Sequence, residues 1–156
     1  MFEVQTRDIA AQQYLTETRY GRVEGLPDWT DPAIGRGWER AEQYGGVVGP
    51  VLLVFHGAIT AEEAGTVEVC VPVALEQQIP LTEPHRYESA HTEAFTRLRK
   101  SQTDFPEILG AYDAVAKWMM SNGKSFGKAP REAYFTDFMA AGDDDDVADV
   151  AFPIGE

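Results

Sequence analysis

A glutamate in a short aromatic segment is the residue of this sequence best placed to do chemistry. The segment is Pro130-Arg131-Glu132-Ala133-Tyr134-Phe135-Thr136-Asp137, and its composition predicts a β-strand. Successive strand side chains point to opposite faces, so Glu132 and Tyr134 share one face. Since glutamate is rarely fully buried unless it is paired, Glu132 is either a solvated strand residue or a charge set into an aromatic-lined surface.

Other chemically capable residues lack the spacing that their chemistry needs. His56, His85 and His91 share no metal-ligand spacing with the single cysteine, so no zinc site is predicted. The acidic run Asp143-Asp144-Asp145-Asp146 lacks the spaced ligands and distal Glu of a calcium loop, and we interpret it as a solvated turn. No Gly-x-Ser-x-Gly elbow supports a nucleophile. We predict neither a metal nor a cofactor.

Two helices are predicted among the elements that position Glu132. The first runs from Asp31-Pro32, where Asp can cap and Pro suits the first turn, to Gly45-Gly46. The second opens with Asp104-Phe105-Pro106-Glu107, which has the form of a capping box, and ends at Asn122-Gly123. Its apolar stripe consists of Ile108, Tyr112, Val115 and Met119.

Extended structure is predicted for most of the remaining chain. A first stretch, residues 3–20, is interrupted near Asp8. The other predicted strands lie within residues 47–55, 67–73, 87–100, 130–137 and 147–154.

The sequence carries an internal repeat. Residues 50–55 align with 130–135, and the same shift lengthened by one residue aligns 69–73 with 150–154. Each half, about 1–80 and 81–156, therefore has the order strand, helix, strand, strand. In this alignment Leu52 matches Glu132, and an apolar residue at the matching position favours a covered face over a solvated one.

Composition bounds the function classes. The chain has 156 residues, 44% of them hydrophobic, and is long enough for one domain with a real core. Thirteen Lys and Arg against 26 Asp and Glu leave a net charge of −13, which repels phosphate backbones and favours cationic ligands. We therefore expect no direct nucleic-acid binding.

The sequence also bears on where the protein acts. Because Cys70 is the single cysteine, an intrachain disulfide is excluded. No segment is an apolar run as long as a signal peptide or a membrane span requires. We expect a soluble, cytoplasmic protein that has no membrane partner.

Three segments together, residues 69–73, 130–137 and 149–154, resemble the GyrI-like small-molecule-binding domain, also called the bacterial transcription-activator effector-binding domain. That family occurs at the ends of multidrug-responsive regulators and as stand-alone proteins. Because the sequence shows no helix-turn-helix, the resemblance is to the stand-alone form. It implies an α+β fold over residues 1–156: two strand-helix-strand-strand modules whose antiparallel sheets form a shared ligand groove.

The resemblance also implies site residues. Family members hold hydrophobic cations with a buried glutamate and aromatic walls, and Glu132 matches that glutamate. Tyr134 is the first aromatic candidate because it shares the face of Glu132. Four weaker candidates, each of which could instead be a plain core aromatic, are Trp38, Phe55, Tyr112 and Trp118.

Three functions follow from the resemblance. The first is a module that senses or sequesters aromatic, cationic, drug-like molecules. The second is a hydrolase that opens the cyclopropane ring of DNA-alkylating compounds by adding water, with Glu132 as general base and Tyr134 polarising the substrate carbonyl. The third is a protein-interaction module similar to gyrase inhibitors, whose acidic surface engages a basic partner.

Overall fold

The computed structural model describes residues 2–155 and shows an α+β protein, as the sequence predicts. Its strands and helices, in chain order, are β1 (Gln5–Ile9), β2 (Gln12–Gly21), α1 (Leu26–Ala41), β3 (Val51–His56), β4 (Gly65–Val73), β5 (His85–Glu88), β6 (His91–Arg99), α2 (Leu109–Ser121), β7 (Arg131–Tyr134) and β8 (Asp146–Pro153). Short 3₁₀ helices follow α1 and β6. Within the described range, neither helix has the length and apolar character needed to cross a lipid bilayer.

The chain divides into two compact units. The first contains residues 2–9 and 91–155, with strand order β1-β6-β8-β7. The second contains residues 10–90, with strand order β3-β4-β2-β5. Neighbouring strands in each unit are antiparallel. Each unit therefore holds one strand-helix-strand-strand module, β6-α2-β7-β8 or β2-α1-β3-β4, and one further strand.

The strand registers show which residues of the two modules correspond. Val69 pairs with Leu53, whereas Val150 pairs with Glu132. With Val69 aligned to Val150, the counterpart of Glu132 is Leu53, so the predicted match to Leu52 is one residue out. β3 is apolar from Val51 to Phe55, so no alternation of polar and apolar residues marks its register in the sequence. Leu53 is buried, as an apolar counterpart requires.

Helix α2 covers one face of the first unit's sheet. Its buried residues Ala111, Val115 and Met119 recur at every fourth position and pack with Leu98 and Val150 in the core. Residues directly opposite each other on antiparallel strands project to the same side. Since Glu132 pairs with Val150, Glu132 lies on the face that α2 covers.

Both helices begin at residues other than those predicted. α1 starts at Leu26, and Pro27 lies in its first turn, where a missing N–H costs no hydrogen bond. The predicted start at Asp31-Pro32 therefore lies inside the helix. α2 starts at Leu109 and has no side-chain cap. The predicted capping segment instead forms turns, in which the Ile108 N–H donates to the Asp104 carbonyl.

Candidate functional site

The carboxylate of Glu132 is held by two tyrosine hydroxyls. Glu132 lies in β7 and exposes only 6% of its surface. The Tyr112 hydroxyl donates to Oε2 and the Tyr134 hydroxyl donates to Oε1, each over 2.6 Å. These distances are typical of strong, charge-assisted O–H···O⁻ hydrogen bonds. The structure therefore brings together Glu132, Tyr134 and one of the four weaker aromatic candidates, Tyr112.

Local structure explains why these three side chains meet. Tyr134 follows Glu132 by two residues in the same strand, so strand alternation places both side chains on one face. Tyr112 belongs to α2 and lies at the margin of the core that α2 forms with the sheet. The hydroxyl of Tyr112 reaches Glu132 because α2 packs on the face to which Glu132 projects.

Glu132 differs from the other buried carboxylates in its partners. Residues 2–155 contain five buried carboxylates, and four of them form ion pairs with arginine: Glu68 and Glu88 with Arg86, Glu93 with Arg7, and Asp149 with Arg7 and Arg97. Glu132 forms no ion pair within this range, and its hydrogen bonds come from the two tyrosines. It is therefore a buried acid that has hydrogen-bond donors but no countercharge.

Burial dominates the acid–base properties of the site. It raises the pKa of Glu132, although the hydrogen bonds from Tyr112 and Tyr134 act in the opposite direction. Burial also raises the pKa of Tyr112 well above its usual value, and the neighbouring Glu132 charge adds to that effect. Tyr112 therefore keeps its proton and remains a donor to Glu132, while burial favours the protonated form of Glu132.

Further aromatic rings extend from the two tyrosines. The Tyr112 ring meets Phe152 edge-on, with 6.0 Å between the ring centroids, and Phe152 lies 5.9 Å from Phe126. On the other side, the Tyr134 ring meets Phe138 edge-on at 6.1 Å. Sequence reasoning did not select these three phenylalanines. Strand alternation could have found Phe152, since it follows Val150 by two residues in β8, but Phe126 and Phe138 lie outside the strands.

The remaining predicted aromatic residues lie elsewhere. Trp118 is on α2, partly buried against the core of the first unit. Phe55, at the end of β3, and Trp38, on α1, belong to the second unit. Phe55 is half-buried, and Trp38 exposes 49% of its surface.

The rest of the described chain offers no alternative metal centre or thiol nucleophile. Residues 2–155 contain no group of three or more His, Cys, Asp or Glu side chains placed to bind a metal. Cys70 is buried, and burial raises the pKa of its thiol far above the usual value. A thiol that keeps its proton is a poor nucleophile.

Comparison with known proteins shows similarity in structure rather than in sequence. No protein-family model and no curated protein sequence matches this chain. Among solved structures, the crystal structure of the EcmrR C-terminal domain matches with a TM-score of 0.79 at 16% identity, covering 100% of this chain and 99% of that one.

Two further solved structures are similar over nearly the whole chain. A hydrolase from Listeria innocua matches with a TM-score of 0.62 at 9% identity, covering 98% of this chain and 92% of that one. SAV2435 bound to tetraphenylphosphonium matches with a TM-score of 0.54 at 12% identity, covering 98% and 94%. At these identities the likeness establishes the fold. The resemblance to the GyrI-like effector-binding domain is thus confirmed at the level of the fold.

Proposed function

We propose that this protein binds hydrophobic, cationic small molecules and that Glu132 supplies the countercharge. The observation that carries the proposal is the set of partners of Glu132. Within residues 2–155 it has two tyrosine hydroxyls and no arginine, whereas the four other buried carboxylates have arginine. A buried anion is stabilised by an opposite charge close to it. A bound cation would provide that charge.

The aromatic surroundings suit the same class of ligand. Tyr112 and Tyr134 lie beside the carboxylate, and further rings adjoin them. A cation over an aromatic face gains about 0.5–2 kcal/mol, the larger value applying when the pair is desolvated. The fold of this chain is also that of SAV2435, whose structure contains tetraphenylphosphonium, a hydrophobic cation. These observations support a role in sensing or sequestering cationic compounds.

Binding of a cation should depend on pH. Burial raises the pKa of Glu132, and a cation binds better to the ionised than to the protonated carboxyl. Affinity for a permanent cation should therefore fall as the pH is lowered through the pKa of Glu132. A neutral ligand of similar size has no such dependence.

The proposal is tested with a matched pair of ions, tetraphenylphosphonium and tetraphenylborate, and binding is followed by quenching of tryptophan fluorescence. Wild-type protein should prefer the cation. Glu132→Gln keeps the size of the side chain and removes its charge, so it should weaken cation binding by at least about tenfold without weakening anion binding. Glu107→Gln, which changes an exposed carboxylate of the same unit, is the control and should behave as wild type. Equal affinities of wild-type protein for the two ions would contradict the proposal.

Hydrolysis is a second candidate function, supported by the raised pKa of Glu132, its contact with two hydroxyls and the shared fold of a Listeria hydrolase. In cyclopropane opening, Glu132 would take a proton from water while the water oxygen bonds to a ring carbon. The breaking ring bond would deliver its electron pair to the conjugated carbonyl, and the resulting enolate would then take a proton from Glu132. To polarise that carbonyl, the Tyr134 hydroxyl would donate to the carbonyl oxygen instead of to Glu132. The Glu132→Gln variant should then bind a neutral cyclopropane substrate as the wild type does, and its turnover rate should be lower by about 10²–10⁴-fold. Unchanged turnover would exclude this function.

A further inference from the structure

A cavity of about 410 Å³ lies at the outer edge of the first unit's sheet. Its lining comes from residues 2–5, from β6 and the 3₁₀ helix that follows it, and from Asp146 at the start of β8. All of these belong to the first unit. The volume falls within the range of small-molecule sites, so the cavity is large enough to hold a small organic ligand.

The cavity exists because β1 ends before β6 does. β1 pairs with β6 only as far as Gln5 opposite Phe95, whereas β6 continues beside β8 to Arg99. Leu98 packs in the core with α2, so strand alternation places Phe95 on the face opposite α2. β8 also separates β6 from β7, the strand that carries Glu132. The cavity is therefore separate from the site around Glu132.

Charges of both signs line this cavity without forming ion pairs. Arg99 lies opposite Asp146 in the register of β6 and β8. Within residues 2–155, however, neither of these side chains nor Glu3, a third lining residue, forms an ion pair. Arg97, by contrast, is held by Asp149, to which its Nε donates over 2.9 Å. The cavity thus offers one guanidinium and two carboxylates to a ligand.

Two aromatic rings form apolar walls of the same cavity. Phe95 is buried, and Cζ of Arg7 lies 3.8 Å from the centroid of its ring. Phe2 is partly buried and packs against the core that contains α2. Rings held in place in this way lose little freedom when they contact a ligand. The cavity therefore combines charges of both signs with preorganised apolar surface.

We propose that this cavity binds a free α-amino acid with a large apolar side chain. Arg99 would hold the carboxylate, Glu3 and Asp146 would hold the ammonium group, and Phe2 and Phe95 would contact the side chain. A zwitterion suits the protein because it has no net charge. A carboxylate without an ammonium group would be repelled by the net charge of −13, and an amine without a carboxylate would leave Arg99 without a partner.

The test compares L-phenylalanine with two derivatives, N-acetyl-L-phenylalanine, which lacks the ammonium group, and L-phenylalaninamide, which lacks the carboxylate. Titrations followed by two-dimensional NMR give both the affinity and the place of binding. L-Phenylalanine should bind at least about tenfold more tightly than either derivative, since each derivative loses one charge-assisted contact. It should shift the amide signals of residues 95–99.

Variants separate the two ends of the ligand. Arg99→Gln should weaken L-phenylalanine at least about tenfold and leave the amide derivative within about twofold. Arg22→Gln, at an exposed arginine of the second unit, should behave as wild type. Glu3→Gln combined with Asp146→Asn should weaken L-phenylalanine and its amide but not the N-acetyl derivative. The matched double control is Glu107→Gln with Asp144→Asn, at two exposed carboxylates of the same unit.

Three results would overturn the inference. They are the absence of shifts at residues 95–99 when L-phenylalanine is added up to its solubility limit, equal affinities for L-phenylalanine and either derivative, and unchanged binding of L-phenylalanine by Arg99→Gln. The inference does not depend on Glu132, so Glu132→Gln should bind L-phenylalanine as the wild type does. A loss of this binding in Glu132→Gln would likewise contradict a separate site.

Discussion

At the scale of single residues, the protein stabilises buried carboxylates in two ways. Burial favours protonation of Glu68, but its hydrogen bonds with Arg86 and His56 outweigh that effect and lower its pKa. Glu132 has hydroxyl donors in place of an arginine, and its pKa is raised. Hydroxyl groups satisfy the carboxylate oxygens without neutralising the charge, so Glu132 keeps the capacity to attract a cation.

This difference fixes the sign of a pH effect. The pKa of Glu132 is higher in the folded than in the unfolded chain, so its contribution to stability is fully present below the unfolded pKa and is lost as the pH rises through the folded pKa. The hydroxyl of Tyr112 limits that loss because it favours the ionised form. Removing the hydroxyl should therefore matter more at neutral than at acidic pH.

We predict that Tyr112→Phe lowers the free energy of unfolding by about 1–3 kcal/mol at pH 7 and by less at pH 4. Urea unfolding at both pH values measures the difference. Tyr20→Phe, at a tyrosine that exposes 74% of its surface, should change stability by less than about 0.5 kcal/mol at either pH. A loss in Tyr112→Phe that is the same at pH 4 and pH 7 would show that its hydroxyl does not serve the ionised carboxylate.

At the scale of elements, each helix depends on a close fit to its own sheet. α2 carries Tyr112 to Glu132 by packing its apolar stripe on β6 and β8. α1 packs on β2 and β4, and there a glycine makes the approach possible. A Cβ atom added at Gly37 would lie 2.4 Å from Cγ2 of Val71 on β4, and Val71 is buried.

Two glycines of α1 should therefore respond oppositely to alanine. Gly37→Ala should destabilise the protein by about 1–3 kcal/mol, because the added methyl group overpacks against Val71. Gly35→Ala meets nothing within 4 Å and should stabilise the helix by about 0.5–1 kcal/mol, since alanine loses less backbone entropy than glycine. Thermal unfolding of both variants measures these effects. If Gly37→Ala stabilised the protein, β4 would be able to shift and make room for the added methyl group.

At the scale of the whole molecule, the charge imbalance acts on stability. The net charge of −13 comes from 26 acidic and 13 basic side chains. Ion pairs such as Arg7 with Asp149 and Arg86 with Glu68 neutralise buried acids, but the remaining excess is negative and repels itself. Such repulsion between exposed charges is screened over a Debye length, about 8 Å at 0.15 M salt.

We predict that sodium chloride, raised from about 0.01 M to 0.15 M, increases the melting temperature, because screening relieves self-repulsion more than it weakens partly buried ion pairs. Differential scanning calorimetry at constant pH measures the shift. The same salt series should weaken binding of tetraphenylphosphonium, since the attraction of the acidic surface for a cation is screened as well. A melting temperature that falls with salt would mean that exposed ion pairs, such as Lys117 with Asp113, outweigh the repulsion.

The sequence by itself determined the features that depend on near neighbours. Strand alternation predicted that Glu132 and Tyr134 share a face, and the structure shows the hydrogen bond between them. The repeated strand-helix-strand-strand order was predicted from the alignment of the two halves of the sequence, and the α+β class from the family resemblance. The predicted helix starts were less accurate. Asp31 and Asp104 are residue types that often cap helices, but the helices begin at Leu26 and Leu109.

Only the tertiary structure decided the features that join distant segments. Tyr112 reaches Glu132 across 20 positions of the chain, and the ring contact of Phe152 with Phe126 depends on where β8 ends beside a loop. Identifying the residue of β3 that corresponds to Glu132 required the register of strand pairing, which shifts the sequence alignment by one residue. The absence of an arginine partner for Glu132 within residues 2–155 likewise depends on which strands become neighbours. These contacts follow from packing and strand pairing, whose energies depend on the whole folded unit and not on any local segment.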